Sequence, residues 1–120
     1  VSENGGETML RAYWFGFDKE SRTPFFGIDP EDAFLWIIMY INECRQQVLI
    51  DRHINELSEA RNDRRGWRYC INETVLTYDP FRERMTAVFM PIDDDRENEM
   101  DSAIFLKILR EWREHVIAHS

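Results

Sequence analysis

Glycine, cysteine, positive charge and long apolar runs are all scarce in this chain. Five glycines in 120 residues leave no phosphate-cradling loop, and neither a P-loop, a Rossmann fingerprint nor a G-x-S-x-G elbow is present. Cys44 and Cys70 are the only cysteines. They stand without a CxxC pair or a His/Cys cluster, which excludes the common zinc modules and a disulfide scaffold. Both are expected as buried, reduced thiols. The longest unbroken apolar run, residues 33–41, falls short of the roughly 20 residues that cross a bilayer. The opening residues 1–7 are polar and Gly-rich, without a secretion-signal pattern. They read as a flexible tail, and the expected location is the cytoplasm. Without such a signal the Asn72-Glu73-Thr74 sequon carries no weight.

Fifteen Lys and Arg stand against 23 Asp and Glu, for a net charge of −8 and a pI near 4.8. Nucleic-acid binding relies on clustered cations that displace counterions, and anionic lipid attracts the same clusters. The charge therefore disfavours both. The one basic cluster, Arg61 to Arg65 with Trp67 and Arg68, could grip phosphate with Trp67 stacking on a base. Its plainer reading is arginines complementing a helix C-terminus at the start of a strand.

What is present is enough for a core. Apolar residues make up 43% and aromatics 13% of the chain, so a single ordered domain over residues 1–120 is expected. Residues 8–18 alternate as a strand, and residues 25–28 form a second strand hairpinned to it. Asp29-Pro30-Glu31-Asp32 reads as a helix start, with Asp29 capping and Asp32 at the capping-box position. The helix that follows carries Phe34, Ile37, Ile38, Ile41 and Cys44 on one side and Leu35, Trp36, Met39 and Tyr40 on the other. A helix apolar all round is either central or covered by a second subunit. An amphipathic stretch with Ile50, Ile54 and Leu57 continues it, with a break expected near residues 46–49 and Gly66 as its C-terminal cap. Residues 67–78 and 85–92 read as a second hairpin turning at Asp79-Pro80. A last helix over residues 94–118 buries Ile104, Phe105, Ile108, Leu109, Trp112 and Val116. Phe25-x-x-Ile28-Asp29 is echoed by Phe89-x-x-Ile92-Asp93, a weak internal repeat. The expected fold is α+β: two ββα-type halves, with an antiparallel sheet of about four strands packed against two or three helices.

Residues 91–101 are the chain's most informative stretch. Asp93, Asp94, Asp95, Glu97, Glu99 and Asp101 surround the single Arg96. Asp93, Asp95 and Glu97 alternate as in a calcium loop, but Asn98 stands at the glycine position and Ile104 at the bidentate glutamate, so an EF-hand is excluded. A few of these acids suit a helix N-terminus; the remainder can present an acidic surface to a basic protein. Asp29, Glu31 and Asp32 form a second acidic patch. His115 and His119, one turn apart with Glu111 a turn before, have a zinc-like spacing but lack the glutamate that follows the first histidine in metalloprotease helices. No metal or cofactor is expected. His53, beside Asp51, Arg52 and Glu56, reads as solvated. Trp14, Trp36 and Trp67 read as core, and become interface anchors if exposed.

These readings point to a small acidic protein that binds a basic protein partner, without catalysis. An immunity protein or antitoxin blocking a nuclease toxin is the natural form, since a nuclease site is positive and an acidic inhibitor exploits the same field. In general size and charge the chain looks like many bacterial immunity proteins. The alternatives are a homo-oligomeric assembly module, such as a homodimer, and a carboxylate- or metal-dependent enzyme.

Overall fold

The computed structural model describes residues 10–91 and 98–120. A hairpin of β1 (Ala12–Asp18) and β2 (Thr23–Asp29) opens the chain. A single 3-10 turn, Asp32–Phe34, leads into α1 (Leu35–Glu43) and then α2 (Gln47–Asp63). Four strands follow, β3 (Trp67–Ile71), β4 (Thr74–Asp79), β5 (Arg84–Phe89) and β6 (Asn98–Asp101), and α3 (Ser102–Ala118) closes the fold. The fold is α+β, with β1–β2 as one antiparallel sheet and β3–β4–β5–β6 as a second.

α1 is the central element. It packs against β2 on one side and against β4, β5 and β6 on the other. Trp36, Ile37, Tyr40 and Ile41 are consequently buried, as the all-round apolar sequence demands. The chain's own two sheets supply the cover for α1. Asn42 seals the hairpin's edge: its Oδ1 accepts from the Phe26 N–H and its Nδ2 donates to the Phe26 carbonyl, both at 2.9 Å. A strand edge lying against a helix would otherwise hold unpaired peptide groups.

The break between the two helices falls at residues 44–46, just ahead of the expected position. Breaking a helix frees its last carbonyls, and two side chains take them. The Trp112 indole donates to the buried Cys44 carbonyl at 2.7 Å, and Arg45 Nε donates to the Asn42 carbonyl at 2.6 Å. α2 then buries Ile50, His53, Leu57 and Ala60. It ends at Arg64, in the left-handed region at φ 55°, with Gly66 lying beyond it in the connection.

Three further expectations are corrected. The strand expected over residues 67–78 is two strands, turning at Asn72 and Glu73, whose φ values of 46° and 73° are those of a two-residue primed hairpin turn. The last helix starts at Ser102, because Asn98–Asp101 pairs with β5 as a fourth strand, Met100 opposite Met85. The second half thus carries four strands where two were expected; of the Phe-x-x-Ile-Asp echo, Ile92 and Asp93 lie outside the described residues. Asp29 ends β2 and does not cap a helix: neither the 3-10 turn nor α1 has a side-chain cap bond.

The remaining core matches the periodicity. Phe105, Ile108, Leu109, Trp112 and Val116 are buried along α3, while Ile104 is exposed. Cys44 is buried, but Cys70 lies exposed on β3. No helix among the described residues is long and apolar enough to cross a membrane.

Candidate functional site

The hairpin has two unlike faces. Tyr13, Phe15, Phe26 and Ile28 turn inward, and Phe15 stacks on Trp112 with ring centroids 6.1 Å apart. Trp14 and Phe25 turn outward and stay 47% and 42% exposed. Their rings lie over glycines. A Cβ built on Gly27 would sit 2.6 Å from the Trp14 indole, and one on Gly16 would sit 2.3 Å from the Phe25 ring. The absence of side chains at residues 16 and 27 is what lets both aromatics lie flat across the sheet.

A groove of about 580 Å³ runs beside them, lined by Ala12, Trp14, Phe25, Gly27 and Ile38, with Asp29 and Glu31 at its end. Asp29 is held by Arg11, whose Nε and Nη2 donate to its two carboxylate oxygens at 3.2 Å each. Glu31 and Asp32 are exposed in the turn that follows. At the turn end of the hairpin, outside this groove and in a separate pocket with Phe25 and Arg45, Asp18 accepts from the Glu20 N–H and the Ser21 hydroxyl, both at 3.0 Å. The Ser21 bond, then the Glu20 bond, hold its carboxyl below the usual range. Two half-exposed aromatics on a rigid hairpin, with carboxylates at both ends, are the makings of a binding face for a partly basic surface.

The acids singled out in the sequence divide into three groups. Asp29, Glu31 and Asp32 lie together next to the exposed aromatics. Glu99 and Asp101 are engaged inside the fold. Glu99 accepts from Arg82 at 2.8 and 3.1 Å and from Arg84 at 3.3 Å. The Arg82 bond is the main cause that lowers its pKa. Asp101 caps α3, accepting from the Ala103 and Ile104 N–H groups at 3.0 and 3.1 Å. Asp93, Asp94, Asp95 and Glu97 lie outside the described residues. Sequence reasoning missed Phe25 as a site residue. Its signal was the alternation Phe25, Gly27, Asp29, which sets it on the outward face with Trp14's glycine partner.

The histidines resolve differently from expectation. His53 is wholly buried, which corrects the solvated reading. Its Nδ1 donates to the Leu49 carbonyl at 2.9 Å, and its Nε2 faces the Tyr40 hydroxyl at 2.5 Å. A carbonyl can only accept, so Nδ1 carries the proton and Nε2 accepts from Tyr40. Burial, first of all, lowers the His53 pKa and raises those of Tyr40 and of Cys44, the latter to about 12. The indole of Trp67 donates to Glu56 at 3.0 Å beside this cluster. A hydrogen-bonded pair sealed from solvent has no access to a substrate.

On α3, His115 Nε2 donates to the Gly16 carbonyl at 2.7 Å, and His119 Nδ1 to the His115 carbonyl at 2.9 Å. The rings stack on Phe15 and Phe17. Among the described residues no group of three His, Cys, Asp or Glu is placed to hold a metal ion. A second groove, of about 590 Å³ between α2 and α3, is lined by Asp51, Arg110, Arg113 and Glu114. Arg113 pairs there with both Asp51 and Glu114.

Comparison of the chain with protein-family models, with curated proteins and with solved structures finds no match.

Proposed function

We propose that this chain is a protein-binding module that takes a basic protein partner on the outward face of the β1–β2 hairpin. One observation carries the reading: Trp14 and Phe25 are half-exposed beside a groove that ends at Asp29 and Glu31. Large aromatics are costly to leave in water and dominate interface energetics. A Lys or Arg of the partner can lay its stem across Trp14 and bring its charge to Glu31. The net charge of −8 favours a cationic partner through long-range attraction and speeds the encounter. An immunity protein or antitoxin that covers the positive cleft of a nuclease toxin is the form this reading favours. Residues 92–97, between β5 and β6, add four more carboxylates to the chain's acidic field.

The test is affinity capture from cells expressing the protein, washed at about 50 and then about 300 mM salt, a range that shortens the Debye length more than twofold. A stoichiometric basic protein that is held by the native chain and lost with Trp14→Ala and Glu31→Gln supports the reading. A partner retained equally by both variants, or an acidic partner, contradicts it.

A further inference from the structure

The two edges of the β1–β2 sheet are not alike. On β2, Asn42 takes both the N–H and the carbonyl of Phe26. Along an antiparallel strand, residues alternate between bonding the partner strand and pointing their peptide groups the other way. Phe26 therefore points away from β1, and so Phe15, directly opposite it, points away from β2. Tyr13 and Phe17, two residues to either side, share that orientation. Among the described residues no further strand or side chain bonds these peptide groups. Ala12 to Phe17 contains neither proline nor a charged residue, the usual means by which a sheet edge is kept from pairing.

We propose that β1 is the pairing edge for a second copy of this chain. The two β1 strands run antiparallel about a two-fold axis at Phe15, joining two hairpins into one four-stranded sheet. In that register Tyr13 meets Phe17, and Asp18 falls opposite Ala12 and beside Arg11 of the other copy. Arg11 itself falls opposite Lys19 of the other copy, so on the paired strands each end of the joint gathers two cations around the Asp18 carboxylate. Within a chain of net charge −8, residues 11–19 hold Arg11 and Lys19 against the single Asp18. This strand can accordingly approach its copy without the repulsion that the rest of the surface exerts. Phe25, leaning across Gly16 toward the same edge, gains cover there. This pairing stands independently of the basic-partner reading, and salt separates the two. Screening strengthens a dimer of like-charged copies and weakens a complex of opposite charges.

The test is sedimentation equilibrium of the whole chain from about 10 µM to about 1 mM, at about 50 and about 500 mM salt. The dimer share should rise with protein concentration and rise again with salt. Amide exchange at Tyr13, Phe15 and Phe17 should slow in step. Phe17→Pro removes an outward N–H from each copy while leaving the β1–β2 ladder whole, and should weaken the dimer roughly tenfold or more. Ala12→Glu, on an exposed position, sets a carboxylate opposite Asp18 of the other copy and should weaken the dimer without altering the fold, which circular dichroism checks. A monomer at every concentration and salt overturns the proposal. A dimer that Ala12→Glu leaves intact, with unprotected β1 amides, overturns it as well.

Discussion

The Tyr40 hydroxyl donates to Nε2 of His53 at 2.5 Å, with both side chains sealed in the core. Because Nδ1 donates to Leu49, the imidazole is neutral with its proton fixed on Nδ1. The pair ties α1 to α2 across the break at residues 44–46. A protonated ring would present a donor where Tyr40 also donates, in a site that burial already makes hostile to charge.

Acid should therefore loosen the protein through His53. Its folded pKa lies below the ordinary 6.5, so under that pH the unfolded chain binds a proton that the folded chain refuses. Stability is then fully present above about 6.5 and falls as pH drops, by at most ~1.4 kcal/mol per pH unit for one group. Urea midpoints compared between about pH 7.5 and pH 5 should fall for the native chain. In His53→Gln the fall should be shallower, on a lower baseline. Parallel profiles for the two proteins would show that His53 does not set the slope.

Asn42 should matter more to stability than its surface position in the sequence suggests. Its amide closes the β2 edge at Phe26 and also donates to the Ile38 carbonyl at 2.8 Å. Asn42→Ala leaves two peptide groups of β2 unpaired, at a cost of about 2–4 kcal/mol. Denaturant unfolding measures it, and a loss under ~0.5 kcal/mol would mean that water replaces the amide without penalty.

Gly27→Ala should separate binding from folding. The new methyl collides with the Trp14 indole, a half-exposed ring that can swing into solvent. Stability should change by less than about 1 kcal/mol. Iodide quenching of the Trp14 fluorescence should increase, and capture of the basic partner should weaken. Unchanged capture with a displaced indole would remove Trp14 from the interface.

Asp101→Ala should cost about 0.5–2 kcal/mol by uncapping α3, measured by thermal unfolding, without altering partner capture. Reduced capture at unchanged salt dependence would instead place Asp101 on the binding face.

The fold class, the central helix and most of the core were legible because they rest on periodicity. Ile37, Ile41, Phe105, Leu109 and Trp112 recur at helical spacing, and β1 alternates cleanly. Where the sequence misled, a local signal had two physical uses. Asp29-Pro30 has the chemistry of a helix start, yet Asp29 closes β2 against Arg11. Asn72-Glu73 turns a hairpin through positive φ in both residues, although glutamate is a poor turn signal. Asn98–Asp101 reads as acidic helix but pairs with β5. His53 carried its own clue: with Ile50, Leu57 and Ala60 it completes the buried stripe of α2. The candidate face was legible only in halves. Asp29 and Glu31 were visible as acids and Trp14 as an aromatic, while their meeting with Phe25 depends on the β1–β2 register, in which Trp14 faces Gly27.

The most direct measurement places a photo-crosslinking amino acid at position 14 and, in a separate protein, at position 81. Phe81 is 94% exposed in the β4–β5 turn, away from the hairpin. Irradiation of cells carrying each protein should give an adduct with one basic protein from position 14, lost when Glu31 is changed to Gln, and none from position 81. Adducts from position 81 alone, or none from position 14, would contradict a binding face built on Trp14 and Phe25.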